Sequence, residues 1–222
     1  MFSPEEKIMV VGVGGRGISC LERWIENGLS GVETLAVDST DFALLFSHAS
    51  SKINIGSKRP TWWSTCGRPE LGRLAAEESE TELHQALSGA KKVIINAGLG
   101  SGTGTGAAPV VARIAKEAGA HTVSFVTRPF NFEGSGKIYI EREGIIRLLI
   151  ESDLLVIFPN DLIFSLDEET ISLKHAFNLV NDFFYNLLQD DRIITNMRHM
   201  FTIRSEDLRD VISGKRISLG PD

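Results

Sequence analysis

Short apolar runs alternate with longer amphipathic stretches from residue 7 to about residue 160, and this alternation restricts the possible folds more than any other feature. The runs Lys7–Val13, Val32–Val37, Lys52–Ile55, Lys91–Ala97, His121–Thr127 and Leu154–Phe158 are mostly rich in Val and Ile and bounded by Gly, Pro or Asn, as buried parallel strands usually are. Between them the periodicity predicts helices near 17–28, 40–47, 69–87, 105–118 and 137–150. Strands that alternate with helices pair in parallel and are covered on both faces. The expected fold is therefore α/β, a three-layer αβα sandwich around a Rossmann-like, doubly wound parallel sheet.

The last third differs. From Ile171 to Asn196, Phe177, Val180, Phe183, Phe184, Leu187 and Leu188 recur at three- and four-residue steps, predicting one long helix. His199–Ile203 has strand potential. Ser205, Leu208 and Val211 outline a final short helix that Gly214 would end.

The 222 residues, 42% hydrophobic, suffice for one large domain or two small ones, and disorder is excluded for most of the chain. A net charge of −6 without a basic patch disfavours capture of nucleic acid or anionic lipid. Cys20 and Cys66 form neither a disulfide framework nor a zinc-ligand spacing, which fits a reducing compartment; the cytoplasm is the expected location. The start is acidic where a signal peptide is basic, and no apolar run is long enough to span a bilayer.

In a doubly wound fold, ligands bind beyond the carboxyl ends of the strands, so the loops there are the candidates. Gly12-Val13-Gly14-Gly15-Arg16-Gly17 satisfies G-x-G-x-x-G between a strand and a helix, with Asp38 at the end of the second strand. This is the dinucleotide fingerprint, which alone points to NAD; the alternative is a tight turn without a ligand. The segment 96–106, with Gly98, Leu99, Gly100, Ser101, Gly102, Thr103, Gly104, Thr105 and Gly106, is more specific. Glycines alternating with small or hydroxylated residues leave the backbone N–H groups accessible to phosphate oxygens, and the Thr hydroxyls add donors. No Lys stands where a Walker A loop needs one, which disfavours a P-loop NTPase.

Gly98–Gly106, together with Thr127-Arg128-Pro129-Phe130-Asn131-Phe132-Glu133-Gly134, resembles the signature loops of FtsZ, of the tubulin/FtsZ superfamily. The similarity runs from Ile8 to about Leu219. It implies a GTP-binding domain over residues 1–222: sheet and phosphate loops to about 169, a central helix over about 170–196, and a degenerate catalytic segment over 197–222. The family's second domain would be absent. GTP or GDP is the implied ligand, with Mg²⁺ as a candidate ion.

By the same resemblance, Gly14, Gly15 and Gly17 contact phosphate, Phe177 lies against the purine and Asn181 reads it. Phe177 could equally be core. Glu133 and Asn160 would touch the sugar or base, beside Pro129 and Lys137; the family has Arg at the position of Lys137. The glycine-rich loop after the third strand is replaced by Pro60–Glu70, whose Gly67 and Arg68 remain phosphate candidates, while Trp62 and Trp63 suit surface packing or a subunit contact. Asp38 or Asp41 would hold Mg²⁺ through water, or cap the next helix.

In the family, an Asn and two Asp of the loop after the long helix enter the neighbouring subunit's site and position water. Ungapped counting from Asn181 puts Thr202, Arg204 and Asp207 at those positions. Only Asp207 can orient or deprotonate water; Arg204 would act as an arginine finger, hold GTP, or remain a solvated charge. Weak or lost hydrolysis is expected. The implied function is GTP-dependent head-to-tail self-assembly into a homo-oligomer or filament in division or membrane remodelling, with co-assembly with a full-length relative in view. A non-polymerising GTP switch and, further off, an NAD oxidoreductase are the alternatives.

Overall fold

The structure is a computed structural model that describes residues 6–60, 63–165, 172–189, 200–204, 206 and 207. Its elements in chain order are β1 (Ile8–Val13), α1 (Gly14–Glu26), β2 (Glu33–Asp38), α2 (Asp41–Leu45), β3 (Ser51–Asn54), α3 (Pro69–Glu78), α4 (Glu80–Leu87), β4 (Lys92–Gly98), α5 (Gly102–Glu117), β5 (His121–Arg128), α6 (Ser135–Glu151), β6 (Leu154–Pro159), α7 (Leu173–Leu188) and β7 (Met200–Thr202). Short 3-10 turns cover Asn131–Glu133 and Asn160–Ser165.

The strands form one seven-stranded sheet in the order β3-β2-β1-β4-β5-β6-β7, and every neighbouring pair is parallel. After β1 the chain moves outward through β2 and β3, then returns to place β4 beside β1. The order thus reverses between β1 and β4, which opens a crevice at their carboxyl ends.

Side chains that alternate along each strand feed two separate cores. Ile8, Val10, Ile94, Val123, Phe125, Leu154, Val156 and Phe158 face α1, α2 and α7; Met9, Val11, Val13, Val93, Ile95, Val126, Leu155 and Ile157 face α3, α4, α5 and α6. The result is the expected αβα sandwich. Each fully buried Leu, Ile or Phe in these layers contributes on the order of 2 kcal/mol, before conformational entropy is counted.

Element boundaries depart from the sequence pattern in three places. Helix α1 starts at Gly14 rather than near 17, and α5 at Gly102 rather than near 105, because both glycine turns are already helical. Pro109 therefore sits inside α5. The helix expected over 69–87 is broken at Ser79, which is buried and whose hydroxyl turns to the Ile55 carbonyl at 3.5 Å. The expected strand after the long helix is present as β7, and Ile203 N continues the ladder to Ile157 O at 2.9 Å. Trp62, the far end of the long helix at 190–196, His199, Ser205 and the final short helix around Leu208, Val211 and Gly214 lie outside the described residues.

Candidate functional site

The two glycine turns meet in the crevice. Gly14 has φ +74°, and a Cβ there would stand 3.0 Å from the Gly104 amide nitrogen, so the first turns of α1 and α5 lie directly against each other. They are terminated differently. Ser101 caps α5, its Oγ accepting from Gly104 N at 3.2 Å, whereas Val13 caps α1 with no side-chain hydrogen bond. Neither helix carries an acidic residue in its first turn, so two positive dipole ends and several amides converge on one point. Such a place binds anions.

The glycines there serve different purposes. A Cβ at Gly17 would collide with the Asn96 carbonyl, one at Gly102 with Thr65, one at Gly104 with the Gly98 carbonyl and one at Gly106 with Pro69 and Arg73. Close packing of α1 on β4, of α3 and the loop before it on α5, and of the α5 turn on the end of β4 accounts for these. Gly98 lies under the Arg16 side chain, and Gly100 combines φ +83° with contact to Pro129 and Lys137. Gly15 is exposed and meets nothing within 4 Å. Packing does not call for glycine at that position.

Around the turns, hydroxyls form a chain. Thr103 Oγ1 lies 2.8 Å from Ser39 Oγ and 3.3 Å from Thr65 Oγ1, linking the loops after β2 and β3 to α5. Thr105 is turned inward: its Oγ1 accepts from Ser101 N at 3.1 Å, which closes the turn. Asp38 is buried beside Ser39, and burial raises its pKa, against the bonds its Oδ1 accepts from Thr40 N and Oγ1. Asp41 Oδ1 accepts from Asn54 Nδ2 at 2.6 Å. Gly67, with φ +75°, and Arg68 are exposed at the head of α3.

On the far side, Glu133 Oε1 accepts from Phe130 N at 2.9 Å and its Oε2 accepts from Lys137 Nζ at 2.6 Å, so these two candidates form a pair; Pro129 beside them is buried. Asn160 is only 4% exposed and its Oδ1 has no hydrogen-bond partner. A buried amide oxygen without a donor is costly unless a ligand supplies one.

Helix α7 brings Phe177 and Asn181 to the side chain of Arg16 from the α1 turn. Phe177 is half-buried, edge-on to Phe130 with centroids 5.7 Å apart. Asn181 is 1% exposed, and its Oδ1 accepts from Arg16 Nη1 at 2.7 Å. Sequence reading singled out the pair but missed Arg16, whose signal was its being the one cation inside the first glycine turn. Arg204 and Asp207 lie together: Arg204 N and Nε donate to Asp207 Oδ2 at 2.9 and 3.2 Å, and Nη1 pairs with Glu206. Trp63 packs on the core under the Arg59 guanidinium, 4.5 Å from the ring centroid.

A parallel sheet whose crevice holds two touching glycine-rich helix starts defines a nucleotide-binding class of protein. Comparison with known proteins gives the family. Residues 7–167 match the model of the Tubulin/FtsZ family, GTPase domain. The fold also superposes on an empty FtsZ dimer from M. jannaschii with a TM-score of 0.79 and 36% identity, covering 94% of this chain and 60% of that one. CetZ2 from Haloferax volcanii, solved as a GTPγS-bound protofilament, matches with a TM-score of 0.72 at 23% identity, covering 82% of this chain and 57% of that one. GDP-bound CetZ1 from the same organism matches with a TM-score of 0.69 at 23% identity, covering 81% and 58%. The CetZ likenesses speak for the fold alone.

The chain belongs to the tubulin/FtsZ family, whose members are GTPases that bind GTP and GDP. It spans about 60% of the length of the FtsZ it matches. None of the described helices is long and apolar enough to cross a membrane.

Proposed function

We propose that this chain binds a guanine nucleotide in the crevice between β1 and β4, with the phosphates at the starts of α1 and α5 and the base toward α7. The observation that carries this reading is the contact between Gly14 and Gly104, which brings two helix N-termini to one point. The orphaned Asn160 Oδ1 and the open space over Gly15 fit a ligand there as well. Ser101, Gly102 and Thr103 would face the phosphates, with Arg68 as a further cation. Asn160 and Glu133 would face the sugar, and Phe177 and Asn181 the base. Asp38 is the candidate to hold Mg²⁺ through water, since it is buried next to Ser39, from which the hydroxyl chain runs through Thr103 to Thr65.

Hydrolysis is proposed to be slow. The Asp207 carboxylate that would act on water is already bonded to Arg204 of its own chain, and a guanidinium cannot take a proton from water. Head-to-tail self-assembly in cell division or membrane remodelling belongs to this proposal, with the FtsZ dimer as its precedent for self-association. Co-assembly with a longer relative belongs to the same proposal, as does a cytoplasmic location. The internal Arg204–Asp207 pair favours a second reading, a GTP switch that does not polymerise. Sedimentation separates the two: pelleting with GTP and not GDP supports a filament, and no pelleting with either supports the switch.

The site itself is tested by denaturing purified protein and identifying the released nucleotide by chromatography. GDP or GTP is expected. Protein that releases no guanine nucleotide and takes up none when it is added contradicts the reading.

A further inference from the structure

Arg16 lies where the base would be expected. Its Cβ and Cγ cross above Gly98, and its guanidinium reaches α7. Nη1 donates to Asn181 Oδ1 at 2.7 Å, Nη2 points to the Phe177 carbonyl at 3.5 Å, and Cζ stands 4.7 Å from the Phe177 ring centroid. The ring face and the amide oxygen assigned to the base are therefore both taken by one cation. A purine stacked on that face, with a donor on Asn181, would need the same two groups.

The charge of Arg16 is poorly matched where it lies. Its Nε is buried without a hydrogen-bond partner, and among the described residues no carboxylate pairs with it. Asp182, on the same helix as Asn181, is bound instead by Arg23 at 2.9 Å. Cys20 nearby is neutral, burial having pushed its thiol up to about 12, and burial likewise presses the Arg16 pKa below its ordinary value. A cation held by one neutral amide, a long bond to a carbonyl and a ring face is stabilised further by any anion within reach. The Cα of Arg16 belongs to the α1 turn that would hold the phosphates.

We propose that Arg16 couples the base and phosphate subsites: it occupies Phe177 and Asn181 until a nucleotide's phosphates draw it away as their counter-charge, so that the pocket accepts nucleoside phosphates and resists bare nucleosides. This rests on the nucleotide-site reading above and adds a specificity-determining residue to it. Removing the guanidinium affects two ligands differently. A nucleoside gains a vacated base subsite, while a nucleoside diphosphate gains the same and loses a charged contact.

The test is competition of guanosine and of GDP against a fluorescent GDP analogue, on the wild type, Arg16→Ala and Arg16→Gln, with circular dichroism to show that each is folded. In both variants the preference for GDP over guanosine is expected to fall about tenfold or more, as loss of a hydrogen bond to a charged group implies. An unchanged preference in folded variants overturns the inference while leaving the site intact. A wild type that binds no analogue overturns the site reading, and the inference with it.

Discussion

The Trp24 indole Nε1 donates to the backbone carbonyl of Asn181 at 2.8 Å, tying the last turn of α1 to the turn of α7 that carries Asn181. Trp24 is completely buried, and it lies edge-on to Phe125 with centroids 6.1 Å apart. With the Arg16 and Arg23 bonds to α7, the Trp24 bond helps to set how far Asn181 stands from the glycine turn at the start of α1. Trp24→Phe keeps part of the ring volume and removes the donor. Loss of the bond and the smaller ring together should cost about 2–3 kcal/mol in urea denaturation. Guanine nucleotide affinity should fall as well, because α7 is no longer fixed.

A second tie between the same helices gives a pH dependence. Burial works to raise the Asp182 pKa, but hydrogen bonds from Arg23 and Asn27 outweigh it and hold the carboxyl below its ordinary value. A depressed pKa contributes stability that is present above the unfolded value and is lost as pH falls through the folded one. Solvent screens this half-exposed pair, so Asp182→Asn should cost about 1 kcal/mol near neutrality. Thermal melts from pH 7 down to pH 3 should show the gap between wild type and variant closing at the acid end.

Asp38 behaves in the opposite sense. Burial raises its pKa, so its contribution to stability is fully present below the unfolded carboxylate range and is lost as pH rises through the folded value. Asp38→Asn retains an oxygen to accept from Thr40. In the absence of nucleotide and divalent ions, the variant should melt higher than wild type at pH 7, and the difference should vanish at low pH.

The glycines should separate into two groups under substitution. Gly106→Ala forces a methyl into the Pro69 carbonyl and should cost about 1–3 kcal/mol or more, read by chemical denaturation. Gly15→Ala meets open space inside a helix, so it should leave stability unchanged or raise it by up to about 1 kcal/mol. Under the proposed site, Gly15→Ala should nevertheless weaken GDP binding by about tenfold, near 1.4 kcal/mol, by standing where a phosphate approaches. Calorimetric titration checks the second effect against the first.

The layered fold was legible because each strand writes its two faces in alternate residues, as Ile8 and Val10 against Met9 and Val11 show. The long helix was legible from the spacing of Val180, Phe183, Phe184 and Leu187. The starts of α1 and α5 were not, because glycine has low intrinsic helix preference and local sequence does not reveal that Pro69, Arg73 and Asn96 will press against those turns. The break at Ser79 depended on a partner, the Ile55 carbonyl, that is distant in sequence. Phe177 and Asn181 could be singled out through a family resemblance, and Arg16 stood out as the cation of the first glycine turn, but that its guanidinium reaches α7 could not be read. Its position depends on the distance between α1 and α7, which is a tertiary quantity.

The most direct measurement is a structure of the chain determined with bound GDP. The expected result is a diphosphate within hydrogen-bonding distance of the amides opening α1 and α5, around Gly15 and Gly102, with the purine against Phe177 and Arg16 moved off Asn181. A nucleotide bound elsewhere, or a crevice between β1 and β4 that stays closed at saturating GDP, would contradict it.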